Sequence, residues 1–264
     1  MRSIHERRPR RHLTSALVLA AALATTACQS KTAGLDSLDS INTASTAKPS
    51  FTATAALGKK WQADTANIDT GLAYANGLEA LGQIDQQIQV LKTLSASHPE
   101  NTKLQALYGK KLLAAGRAGD AIAVLEGAAA SGNADWRLLS ALGSAYDQQG
   151  RYVEARAQYG KALQLAPGEI TVLNNMGMSH ALEGDLKQAE TTLRQASMLP
   201  EAVSEPRIRQ NLALVVGLQG RFDEARKIAS EDLPAEQVEA NMAYLQKMLS
   251  QPNTWQQLSD ETQG

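Results

Sequence analysis

The chain has 264 residues, with 26 basic and 27 acidic side chains. Five of the arginines (Arg2, Arg7, Arg8, Arg10 and Arg11) and one acid, Glu6, fall in the first 27 residues, so the rest holds 21 basic against 26 acidic residues. Such an acidic body lacks the excess of Lys and Arg that neutralises nucleic-acid phosphates, which excludes nucleic acid as a partner. Aromatic residues reach only 4 % while Ala, Leu and Gln abound, a composition suited to helices packed through small side chains. Cys28 is the only cysteine, so no disulfide can form within the chain.

Residues 1–27 read as an export signal. An arginine-rich start precedes the uncharged apolar run LTSALVLAAALA over 13–24, which is too short to span a bilayer, where roughly 20 apolar residues are needed. The segment Ala24-Thr25-Thr26-Ala27-Cys28 then resembles the bacterial lipobox, with Thr25 where leucine is most common. That resemblance implies cleavage before Cys28 and lipidation of its thiol, with two or more acyl chains giving a stable membrane anchor. Gln29, in place of aspartate after the cysteine, implies the periplasmic face of the outer membrane by resemblance to sorted lipoproteins. Residues 28–66 carry no sustained periodicity and are rich in Ser, Thr, Ala, Asp and Lys. They are expected to be a lipid-bearing flexible tether spanning roughly 35 Å, with Trp61 as an alternative start of the first helix.

From residue 67 the chain repeats itself. Gly109, Gly143 and Gly177 are 34 apart, and Gly82, Gly116, Gly150 and Gly184 keep the same spacing. Alanines recur at Ala121, Ala155 and Ala189 and at Ala128, Ala162 and Ala196. Fixed periods of this length mean stacked helix pairs. Small residues in each first helix (Ala75, Gly109, Gly143, Gly177, Ala213) are expected to let the second helix approach closely, with Leu91, Leu125, Tyr159 and Leu193 filling the space behind. The glycines that end those helices, Gly220 included, are expected in the left-handed cap conformation. Pro99 and Pro167 should stop second helices.

The run from Trp136 through Leu142-Gly143, Tyr146, Gly150, Tyr152, Ala155, Tyr159 and Ala162 to Pro167 resembles a tetratricopeptide (TPR) motif. The resemblance implies an all-α, right-handed TPR solenoid of about five repeats, at 68–101, 102–135, 136–169, 170–203 and 206–233. The fifth is offset by two residues in the loop around Pro200 to Pro206, and the first is degenerate, with Gln87 and Leu94 where alanines belong. A last helix from Pro234 to Leu249, apolar at Val238, Met242, Leu245 and Leu249, is expected to cap the stack, leaving 251–264 as a tail. His180, standing where Tyr146 does, is expected to pack half-buried, and His98 to be exposed.

No phosphate-binding glycine loop, HExxH pair, Cys–His cluster or nucleophile-elbow spacing occurs. The sequence therefore points to a protein that is not an enzyme, with no cofactor, metal or small-molecule substrate. By resemblance to peptide-binding TPR domains, first helices line a concave groove reached by Lys103 and Lys110, by Arg137, Ser140, Ser144 and Asp147, by Asn174, Asn175 and Met178, and by Arg207, Gln210, Asn211 and Leu214. Asparagine at the places of Asn175 and Asn211 commonly holds a bound peptide's backbone in that family, and Arg137 and Arg207 could add bonds to acidic groups. Ala106, Ala141 and Ala181 interrupt the cation set that would clamp a free C-terminal carboxylate.

The lipobox signal, the tether and the run from Arg209 to Pro234 (RQNLALVVGLQGRFDEARKIASEDLP), followed by Ala240 to Leu249, resemble the TadD-type TPR lipoproteins of the tight-adherence (Flp/Tad) pilus assembly system. That resemblance implies a scaffold for the secretin and pilus-assembly components, held to the membrane by its lipid. Periodicity alone stops at an adaptor, which could equally serve peptidoglycan hydrolases or outer-membrane protein assembly.

Overall fold

The computed structural model describes residues 50–250. The expected signal, Cys28, most of the tether and the tail over 251–264 lie outside the described residues. Every regular element described is helical. After α1 (Phe51–Ala63) come five helix pairs: α2 (Ile68–Ala80) with α3 (Ile84–Ser97), α4 (Thr102–Ala114) with α5 (Ala118–Ala130), and α6 (Trp136–Gln148) with α7 (Tyr152–Leu165). The fourth is α8 (Ile170–Glu183) with α9 (Leu186–Ser197), and the fifth α10 (Pro206–Leu218) with the short α11 (Phe222–Ala229). A single 3-10 turn over Pro200–Ser204 absorbs the two-residue offset before α10, and α12 (Ala235–Ser250) closes the stack.

The terminal glycines behave as their spacing predicts. Gly82, Gly116, Gly150, Gly184 and Gly220 all have φ between 70° and 98°. In each case the next residue's N–H bonds back into the helix, as with Gln83 to Leu78, Arg117 to Leu112 and Arg151 to Tyr146. This left-handed cap satisfies carbonyls that the helix end would leave unpaired, and it turns the chain sharply into the second helix.

The glycines within first helices answer a steric demand. A Cβ built on Gly143 would lie 2.6 Å from Tyr159 Cε1, one on Gly109 2.7 Å from Leu125 Cδ1, and one on Gly177 2.7 Å from Leu193 Cγ. Leu125, Tyr159 and Leu193 are all but fully buried, so they have nowhere to retreat. Gly160 on α7, by contrast, has nothing within 4 Å of such a Cβ. Alanine is favoured over glycine in a helix by about 1 kcal/mol, whereas overpacking a core costs about 1–3 kcal/mol. The same substitution should therefore have opposite signs at the two sites. Chemical denaturation of Gly160→Ala is expected to give a gain and of Gly143→Ala a loss, and a stabilised Gly143→Ala would refute the close-approach account.

Two expectations change. Composition assigns 51–63 to the tether, yet these residues form α1, which packs on α2 as though it were the second helix of a preceding half repeat. Its contact side is built from small residues: Thr54 is buried against Gly77, and Gly58 lies against the Tyr74 ring. Trp61 tilts onto the same ring, 5.8 Å between centroids, and Ser50 Oγ caps the helix by accepting from Ala53 N at 3.1 Å. A face of Thr and Gly carries no apolar periodicity, so hydrophobic patterning does not register it. The second change is His98, which is half-buried, its ring Nε2 2.6 Å from the Ala66 carbonyl.

The degenerate first repeat accommodates Gln87 fully buried. Its Nε2 donates to Glu79 Oε2 at 2.9 Å, and Glu79 Oε1 in turn receives Lys111 Nζ at 2.5 Å. A polar group at an alanine position is tolerable only because it is paired. At the other end, Val238, Met242 and Leu245 of α12 are buried as expected, and Leu245 occupies the space left by Gly217. Leu249 is 47 % exposed and takes no part in the cap.

First helices touch one another in succession, α4 with α6, α6 with α8 and α8 with α10, while the second helices make no comparable contacts among themselves. A stack that is tighter along one side curves toward that side. The first helices therefore line the inner wall, and the residues they turn inward face a common space.

Candidate protein-binding groove

Along that inner wall an amide ladder crosses three repeats. Asn211 Nδ2 on α10 donates to Asn174 Oδ1 on α8 at 2.7 Å, and Asn174 Nδ2 approaches Asn175 Oδ1 at 3.5 Å. Asn175 Nδ2 reaches Ser140 Oγ on α6 at 3.4 Å. Asn174 is buried and Asn175 and Asn211 half-buried, so the rungs keep unused donor and acceptor capacity at a semi-dry surface. The predicted asparagines thus converge, but on each other first. What the sequence conceals is the twist that brings residues about one repeat apart within bonding distance.

A second grouping is cationic. Lys110 on α4 is half-buried, and burial together with the charges of Arg137 and Arg207 holds its ammonium below the ordinary value, against the opposing pull of Asp135 and Glu169. Arg137, at the start of α6, lies with its guanidinium 4.3 Å over the Trp136 ring. Arg207, on the first turn of α10, pairs with Glu205 at 2.9 Å and reaches Thr171 Oγ1 on α8 at 3.4 Å. The ring of Trp136 as a platform and the hydroxyl of Thr171 are contributions that sequence reasoning missed. Lys103 and Gln210 are exposed on α4 and α10.

Four predicted groove residues are placed differently. Asp147 turns into the junction of α6, α7 and α8, where its carboxylate accepts from Tyr159 Oη at 2.8 Å and Ser179 Oγ at 2.6 Å. Burial pushes its pKa up to about 6, although both hydroxyls and Arg156 favour the ionised form. Met178, with Leu214, packs half-buried against the apolar cluster shared by α9 to α12. Ser144 likewise faces inward, bonding the Ser140 carbonyl at 3.1 Å and the Tyr159 hydroxyl at 3.1 Å. His180 is half-buried as expected; burial, then the nearby Arg156, lowers its pKa. Among the described residues no grouping of His, Cys, Asp and Glu is arranged to hold a metal ion, and no helix is long and apolar enough to cross a membrane.

Two stretches match tetratricopeptide-repeat family profiles, residues 136–169 and residues 171–195. The first coincides with the third repeat read from the glycine spacing. The fold is a tetratricopeptide-repeat solenoid. Its fold matches that of TTC0263, a thermophilic TPR protein of Thermus thermophilus, with a TM-score of 0.56 at 22 % identity over 66 % of this chain and 96 % of that one. It also matches PilW, a widely conserved type IV pilus biogenesis factor, with a TM-score of 0.58 at 18 % identity over 75 % of this chain and 90 % of PilW. At such identities the likeness concerns the fold. Among curated proteins none matches the sequence. A TPR stack with a polar inner wall is suited to holding other proteins, since its curvature offers an extended surface that no single helix pair could present.

Proposed function

We propose that this TPR protein is a lipid-anchored scaffold on the periplasmic face of the bacterial outer membrane, which assists assembly or localisation of the Flp/Tad pilus secretion machinery through contacts with its secretin or other assembly components. The observation that carries the scaffold reading is the amide ladder of Asn211, Asn174 and Asn175, which lays peptide-like groups along an inner wall contributed by three repeats. The lipobox resemblance at Cys28 supports the anchor. The run from Arg209 to Pro234 supports the pilus system, as does the fold shared with a type IV pilus biogenesis factor.

Deleting the gene is expected to abolish surface pili and secretin multimers while detergent sensitivity stays at the wild-type level. Cys28→Ser in place of the wild-type chain should move the protein to the soluble periplasmic fraction and reproduce the loss of pili. Detergent-sensitive cells with pili intact would transfer the scaffold to envelope maintenance, and a membrane-bound Cys28→Ser protein would remove the anchor.

A further inference from the structure

We propose that the stack is jointed at α8, with Asp147, Tyr159, Ser179 and Arg156 forming a proton-operated latch. With the Asp147 carboxyl neutral the repeats on either side of α8 stay closed, and with it ionised the junction opens.

Three observations carry it. First, the apolar core breaks at this helix. One cluster runs from Leu72 on α2 to Val172 at the start of α8, and another gathers α9 to α12 from Ala189 to Leu245. Between them Leu173, Ala196 and Ile208 form a small third group. Helix α8 is shared among all three, since Met178 and Ala181 pack on the second cluster. A stack bends where the least apolar surface must be uncovered, and that place is the break.

Second, polar groups occupy the break. Asp147, near the end of α6, accepts from Tyr159 Oη on α7 at 2.8 Å and from Ser179 Oγ on α8 at 2.6 Å. Tyr159 and Ser179 are buried all but completely. One carboxyl thus fastens three helices. Burial raises its pKa to about 6, against the bonds from both hydroxyls and the charge of Arg156. Once ionised there, it gains more from water than from two hydroxyls, so losing the proton favours parting the helices.

Third, the neighbouring charges do not hold the junction shut. Arg156 on α7 pairs with Glu183 on α8 at 2.6 Å, yet its Nη1 is buried without a hydrogen-bond partner among the described residues, as is His180 Nδ1 on α8. Both nitrogens would be hydrated if α7 and α8 separated. Asp185, at the head of α9, acts on His180 and caps α9 through Gln188 N. Helices α4 and α5, packed on α6, direct their charges elsewhere: Lys111 to Glu79, Asp120 to Arg117, and Glu126 to the Tyr146 hydroxyl, while Lys110 lies in the field of Arg137. Opening between α6 and α8 would also part the Asn175–Ser140 rung, so the proton on Asp147 sets the shape of the inner wall.

The test is hydrogen exchange of the intact chain, wild type and Asp147→Asn, between pH 4.5 and 7.5, with intrinsic exchange rates divided out. Comparison at each pH removes His180, which both proteins carry and whose lowered pKa acts in the opposite sense. The ratio of wild-type to variant exchange in α8 should rise at least about tenfold across the range, levelling off above pH 6. Amides of α4 and α12, on either side of the joint, should show no such rise. Ser179→Ala, which removes a bond that favours the ionised carboxylate, should move the midpoint of opening upward by about half a pH unit. Its profile is read against the wild type alone, so it decides the matter even where Asp147→Asn folds poorly. A ratio that stays constant with pH, a rise shared equally by α4 and α12, or an unmoved midpoint in Ser179→Ala would overturn the latch.

Discussion

Arg209→Met should destabilise the C-terminal end of the stack by about 3 kcal/mol, toward the low end of what breaking a buried ion pair costs. Arg209 on α10 grips Asp232 through both Nε and its terminal nitrogen, with Nε 2.7 Å from Oδ2. Its remaining nitrogen donates to the Ala202 carbonyl at 2.8 Å. One side chain thus ties the 3-10 turn, α10 and the turn before α12. Asp232, with its side chain only 8 % exposed, would be left as an uncompensated charge once the guanidinium is gone. Arg209→Met with Asp232→Leu should cost markedly less than the single change, because both charges leave together. Repeat stacks need not unfold in one step, so the sensitive measurement is hydrogen exchange of α12 amides, which should accelerate selectively. Unchanged exchange there, or a loss below about 1 kcal/mol, would mean the pair is ornamental.

The same pair illustrates what a sequence of this kind discloses. Arg209 and Asp232 stand at the two ends of the run that carries the resemblance to TadD-type lipoproteins, yet nothing in their spacing announces a bond. The repeat glycines are legible because each obeys a local rule: a positive φ at Gly150, or contact with a large residue sixteen positions on at Gly143. Residues of the groove are legible only as positions on a helix face. Their mutual bonding depends on the twist between repeats, so the sequence cannot join Asn211 to Asn174, nor set Lys110 in the field of Arg207 from three repeats away. Helix α1 escapes because its contact face is Thr and Gly. Asp147 is misplaced although a clue exists. Tyr159 stands where Leu125 and Leu193 stand in neighbouring repeats, and a phenol in a fully buried position requires a polar partner nearby.

That partner makes the stability of the stack depend on pH in an unusual direction. For Asp147 the ordinary carboxylate value of 3.8 rises to about 6 in the folded chain, burial outweighing the bonds from Ser179 and Tyr159. A raised folded pKa means that the native state holds the proton more tightly. This contribution to stability is complete below pH 4, declines as the pH climbs toward 6, and is gone above it. At about 1.4 kcal/mol per pKa unit, the gap corresponds to about 2–3 kcal/mol across that window. Asp147→Asn should abolish the decline, since the amide stays neutral and can still accept from Tyr159. At pH 7.5 the variant is expected to be more stable than the wild type by that amount, and at pH 4.5 the advantage should be much smaller. His180 acts in the opposite sense over the same range, because burial disfavours its charged form. It is present in both proteins, however, so the difference between the two denaturation midpoints isolates Asp147. A difference that stays constant with pH would show that the carboxylate is ionised throughout, and that the junction of α6, α7 and α8 is wetter than its packing implies.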